Sequence, residues 1–113
     1  FEMNGLASFR NSMGVANLLF DKLFSGSGFS RESCKLFIPH QANLPALKKF
    51  IAKAELPMEK CYMDIEKYGN TASASIPLAL VESLEDKKIK RGEQLIMFAV
   101  GAGFSWGGCC LIY

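Results

Sequence analysis

At 113 residues, 50% of them hydrophobic, the chain is long enough to bury one core and too short to need two domains. A formal charge of +2 and aromatics that do not alternate with basic residues exclude nucleic acid as a partner. The longest apolar stretch, Leu95 to Val100, falls far below the ~20 residues of a membrane span. No charged-then-apolar leader opens the chain, so no membrane and a cytoplasmic location are expected. Cys34, Cys61, Cys109 and Cys110 show no C-x-x-C spacing and there is a single histidine, which argues for free thiols and against a metal site. Nine Phe and five Met are more than the surface of a small free-standing domain requires, so part of the apolar surface is expected to face another chain or domain. The chain opens at Phe1 rather than Met and reads as a fragment.

Leu6, Phe9, Met13, Ala16, Leu19, Phe20 and Leu23 recur at helical spacing, which predicts an amphipathic first helix ended by Ser25-Gly26-Ser27-Gly28. A polar turn over Ser30 to Ser33 leads to a strand from about Lys35 to Pro39, which delivers His40 just before a second helix. Asn43 is that helix's expected N-cap, Pro45 sits in its first turn, and Leu44, Leu47, Phe50 and Ile51 form its apolar stripe. Lys48, Lys49 and Lys53 lie off the stripe, as a solvated face would. In an open α/β sheet, the carboxyl end of a strand that feeds a helix faces the crevice where ligands bind. That places His40 at a candidate site, although a lone histidine also fits an ordinary hydrogen-bond network.

Leu56-Pro57 breaks the second helix, and Cys61 to Ile65 reads as a modest second strand. Tyr68-Gly69-Asn70-Thr71-Ala72-Ser73-Ala74-Ser75 then opens a third helix whose body is Ile76 to Leu84. Small residues there let a backbone or ligand approach closely, and Asn70 reads equally well as a helix cap or as a ligand to the site. Pro77 implies that the regular helix starts only a residue or two before it, or bends there. Lys87, Lys88, Lys90 and Arg91 crowd the helix end, where positive charge suits the macrodipole. Leu95 to Val100 reads as a central strand, Gly101 to Phe104 as a tight loop, and Trp106 to Tyr113 as a last strand antiparallel to it. The whole order predicts one α/β domain over 1–113, three layers α/β/α, with a mixed sheet containing one antiparallel strand.

HQAN after a strand, YGNTASAS opening a helix and GAGFSWGG between the last two strands occur together and in this order. With FEMNGLASFR and EKYGNTASASIPLAL, they make nearly the whole chain resemble the C-terminal half of β-ketoacyl-ACP synthase III, in the thiolase superfamily. The resemblance implies a decarboxylating Claisen condensation in fatty acid biosynthesis, with acyl-CoA and malonyl-ACP as substrates and no cofactor. It implies that His40 and Asn70 are the catalytic pair, donating hydrogen bonds to the enolate oxygen left by carbon dioxide. Backbone N–H groups of the Gly101-Ala102-Gly103 loop, next to Phe104, would serve the second oxyanion; Ala102 stands where the family usually has glycine and keeps its N–H. Arg10 matches a docking position for the carrier protein and Asn43 one that meets pantetheine, with Lys48 and Lys53 flanking. Pro45 stands where the family often has a basic residue, which keeps open a related condensing enzyme acting on CoA thioesters. A non-catalytic acyl- or protein-binding module is the other alternative. The family's nucleophilic cysteine lies in the N-terminal half and none of the four cysteines matches it, so the missing half, an acyl carrier protein and a homodimeric partner are implied, and the fragment alone is expected to be inactive.

Overall fold

The structure, a computed structural model, describes residues 4–101 and 103–113. Its sheet has three strands in the order β1 (Leu36–Pro39), β2 (Gln94–Gly101) and β3 (Ser105–Ile112). β1 and β2 run parallel, with Leu36 opposite Leu95 and Pro39 opposite Phe98. β2 and β3 run antiparallel from Gln94 opposite Ile112 to Gly101 opposite Ser105. Strand residues alternate between two clusters, as the pleat requires. Phe37, Ile96, Phe98 and Cys110 face α1 (Gly5–Phe24) and α2 (Leu44–Lys53), whereas Leu36, Ile38, Leu95 and Met97 face α4 (Ser75–Glu85). The expected three layers and single antiparallel strand are therefore present.

α1 is longer than its neighbours and capped at Asn4, whose side chain accepts from Ala7 N at 3.0 Å. Its buried Ala16, Leu19 and Phe20 lie on the sheet, and Phe20 meets Phe98 edge-on at 5.0 Å between ring centroids. Phe50 of α2 stacks on the same Phe98 at 5.7 Å. α1 also crosses β3 at Gly108, where a Cβ would lie 2.9 Å from both Leu23 Cδ1 and Met97 O, so only glycine allows that approach. The polar turn before β1 closes on itself, since Ser30 and Ser33 each donate N–H to the other's hydroxyl at 2.9 Å.

The strand expected over Cys61 to Ile65 shrinks to one parallel bridge between Phe37 and Cys61. The chain keeps one further sheet-like bond, Tyr62 N to Phe37 O at 2.9 Å, and then leaves. Gln41 is the reason: its side-chain oxygen accepts from Asp64 N and Ile65 N, both at 2.9 Å, so the donors that would extend the ladder are turned into the start of α3 (Ile65–Tyr68).

α4 starts at Ser75, two residues before Pro77, as the proline dictates, and is preceded by a 3₁₀ turn over Ala72–Ala74. It ends at Glu85, so Lys87, Lys88, Lys90 and Arg91 lie beyond the helix rather than in its last turn. What closes α4 is backbone: Lys88 N donates to Ser83 O at 2.9 Å and Lys87 N to Leu84 O at 3.0 Å, with Lys87 in the left-handed region at φ 54°. α2 ends the same way around Glu55, φ 57°, with Leu56 N on Ile51 O and Glu55 N on Ala52 O.

Candidate active site

The β1–β2 ladder runs one residue past Pro39, because His40 N donates to Phe98 O at 2.8 Å. The backbone of His40 is thereby fixed at the carboxyl end of a buried strand while its ring emerges half-buried. α4 reaches that ring because its face toward the sheet carries Ser75, Ala79 and Ser83, small residues one turn apart, all buried. His40 Nδ1 and Ser75 Oγ lie 2.6 Å apart. Ser75 Oγ also accepts from Gln41 N at 3.4 Å. Burial holds the His40 imidazole below its ordinary value, so at neutral pH the ring is uncharged and carries one N–H.

Asn70 belongs to the segment that leads into Ser75; it is exposed, in the turn between α3 and the 3₁₀ segment. Gly69 makes the turn with φ 71°. Asn70 Oδ1 accepts from Ala72 N at 2.9 Å. Since a backbone N–H can only donate, this bond fixes which way the carboxamide faces and leaves its NH₂ free to donate outward. The HQAN and YGNTASAS motifs, far apart in sequence, thus meet through His40 and Ser75.

Gln41, fully buried, is the second join: besides accepting from Asp64 and Ile65 it donates Nε2–H to Tyr62 O at 3.3 Å. Asp64 beside it is 9% exposed, with Oδ2 lacking any hydrogen-bond partner among the described residues, and loss of water pushes its carboxyl above the usual range. Sequence reasoning singled out His40 and Asn70 and passed over Gln41 and Ser75. The signal for Ser75 was its place in the 75, 79, 83 series of small residues, which marks the face that α4 lays on the sheet.

The hairpin between β2 and β3 carries Gly101, Gly103 and Phe104; Ala102 lies outside the described residues. Gly103 has φ 136°, and a Cβ there would come within 3.4 Å of Ser105 N. Phe104 is half-buried. Asn43 caps α2 by accepting from Ala46 N at 3.0 Å, which leaves its amide hydrogens unused by the cap. Arg10 on α1 and Lys48 and Lys53 on α2 are exposed, on two helices that touch where Lys49 Nζ sits 5.7 Å from the Phe9 ring centre.

Cys34 and Cys61 are buried and Cys110 is half-buried, none of these three poised for nucleophilic work, while Cys109 is exposed. Burial pushes Cys34 up to about 11 and Cys61 up to about 12, and it raises Cys110 as well. Among the described residues no group of three His, Cys, Asp or Glu could hold a metal ion, and no helix is long and apolar enough to cross a membrane.

Layers and strand order make this an α/β fold with a mixed sheet, and the solved structures that superpose on it place it among thiolase-like folds. The crystal structure of 3-oxoacyl-[acyl-carrier-protein] synthase III from Aquifex aeolicus VF5 superposes with TM-score 0.92 at 37% identity, over 99% of this chain and 36% of that one. A variant of Xanthomonas campestris OleA shares the fold at 18% identity, TM-score 0.91, over 98% of this chain and 33% of its own. Residues 24–113 match the family 3-oxoacyl-[acyl-carrier-protein (ACP)] synthase III C terminal, and the chain belongs to that family. The β-ketoacyl-[acyl-carrier-protein] synthase III of Aquifex aeolicus (strain VF5) is 37% identical over 111 residues, which are 98% of this chain and 36% of that protein. β-Ketoacyl-[acyl-carrier-protein] synthase III 1 of Halalkalibacterium halodurans is 41% identical over 113 residues, 97% of this chain and 35% of its own length. The chain therefore spans about a third of the curated relatives it matches.

Proposed function

We propose that this chain is the C-terminal part of a β-ketoacyl-ACP synthase III, a decarboxylating condensing enzyme of fatty acid biosynthesis that acts in the cytoplasm as a homodimer. The observation that carries the reading is the junction of His40 with the Asn70 segment: one neutral imidazole and one carboxamide of fixed orientation, each with an N–H to give. When malonyl-ACP loses carbon dioxide, the electron pair of the broken bond moves onto the thioester as an enolate. Two preorganised donors lower the energy of that oxyanion where it forms. The carbanion carbon then attacks an acyl group carried on a cysteine supplied by the N-terminal part, and the backbone around Gly101, Ala102 and Gly103, beside Phe104, serves the oxyanion of that second step. Arg10, Lys48 and Lys53 draw the acidic carrier protein and Asn43 meets its pantetheine arm. No cofactor takes part, and the chain without its N-terminal part does not condense.

The test is malonyl-ACP decarboxylation by the full-length protein. His40→Ala and Asn70→Ala should each slow it about 100-fold or more, the scale of losing one oxyanion donor, with acylation of the cysteine spared. Near-normal decarboxylation by His40→Ala would overturn the assignment.

A further inference from the structure

The Ser75 hydroxyl is buried, 2% exposed, and has two neighbours to satisfy. Gln41 N can only donate to it, at 3.4 Å, so one lone pair of Oγ is spoken for. His40 Nδ1, at 2.6 Å, is the acceptor within reach for the hydroxyl hydrogen. Were Nδ1 protonated instead, Oγ would accept twice and its own hydrogen, turned away from both, would be a buried donor with no acceptor among the described residues. We infer that Ser75 is a positioning residue: it receives Gln41 N–H, donates its hydroxyl to His40 Nδ1, and so holds the imidazole in the Nε2–H tautomer with its one N–H aimed away from α4. The same arrangement disfavours the imidazolium, since protonating Nδ1 would take away the acceptor of the buried Ser75 hydroxyl hydrogen, and burial of the ring acts in the same direction. Gln41 thus serves the site twice, by its backbone through Ser75 and by its side chain through Asp64 and Ile65.

The catalytic consequence rests on the reading of His40 as an N–H donor, but the tautomer can be read without it. The measurement is ¹⁵N NMR of the full-length protein labelled at histidine, with the His40 signals identified as those lost in His40→Gln. The expected result is a single Nε2–H tautomer, with a slowly exchanging Ser75 hydroxyl proton correlated with Nδ1; in Ser75→Ala the Nδ1–H form should appear alongside it. A wild-type Nδ1–H ring, or a Ser75→Ala ring still locked wholly as Nε2–H, would overturn the inference. Should Ser75→Ala not fold, the wild-type tautomer and hydroxyl correlation decide alone. In the folded variant malonyl-ACP decarboxylation should slow about tenfold, as when an orienting partner is removed, without a rise in KM. A lost tautomer lock with undiminished decarboxylation would leave Ser75 in its role and count instead against His40 as the donor.

Discussion

The two faces of the sheet are built on opposite rules. Toward α1 and α2 the residues are large, with Phe20, Phe37, Phe50 and Phe98 interlocked edge-on and stacked. Toward α4 the helix offers Ser75, Ala79 and Ser83, and the strands supply the bulk through Leu36, Ile38 and Leu95. Large interlocked rings bury the most apolar area and so carry the most stability. Small residues bury little, but they bring a helix close enough for a serine to touch a histidine on a strand. One face holds the fold together and the other shapes the candidate site.

The sharpest way to break this contrast is to damage each face and read both stability and site. Phe20→Ala, on the sheet face away from α4, should cost about 3–5 kcal/mol in denaturant unfolding while leaving the His40 tautomer as it was. Ala79→Leu should cost less, about 1–3 kcal/mol, because it overpacks rather than empties, yet it should lift α4 and separate Ser75 from His40. A variant set in which Phe20→Ala disturbs the imidazole and Ala79→Leu does not would show that the division of labour is wrong.

The smallest effect belongs to Asp64, whose buried carboxyl titrates above its unfolded value. A raised carboxyl pKa contributes stability below the unfolded value of about 3.9 and loses it as pH rises through the folded one. Asp64→Asn should therefore gain on the wild type as pH climbs, with unfolding midpoints compared at about pH 3 and about pH 7. A gain of equal size at both would mean that packing, not charge, sets the difference.

Helical spacing made α1 legible, spacing together with the Asn43 cap made α2 so, and the continuous apolar run did the same for β2, whereas the Asn4 cap of α1 came only with the structure. Pro77 fixed where α4 begins. The span from Cys61 to Ile65 has strand-like composition, but its pairing is cut short by a glutamine side chain more than twenty residues earlier, which local pattern does not reveal. Helix ends at Glu55 and Lys87 were equally hidden, since both take the left-handed conformation without glycine. In the candidate site, His40 was marked by its place at a strand end, and Asn70 was an even choice between cap and ligand until the three motifs were taken together. Ser75 did not stand out, because a serine among alanines reads as a helix start, and its meaning comes from a ring thirty-five positions away.

The turn that bears Asn70 is anchored on both sides. Gln41 grips its entry at Asp64 and Ile65, Glu82 of α4 takes Lys67 Nζ at 2.7 Å and the Tyr68 hydroxyl, and Ser75 closes its exit. A loop with so many fixed points has little conformational freedom left to lose. A ligand that meets the Asn70 carboxamide meets a group whose entropy was surrendered during folding, so the free energy of that contact goes into affinity or rate rather than into ordering the chain.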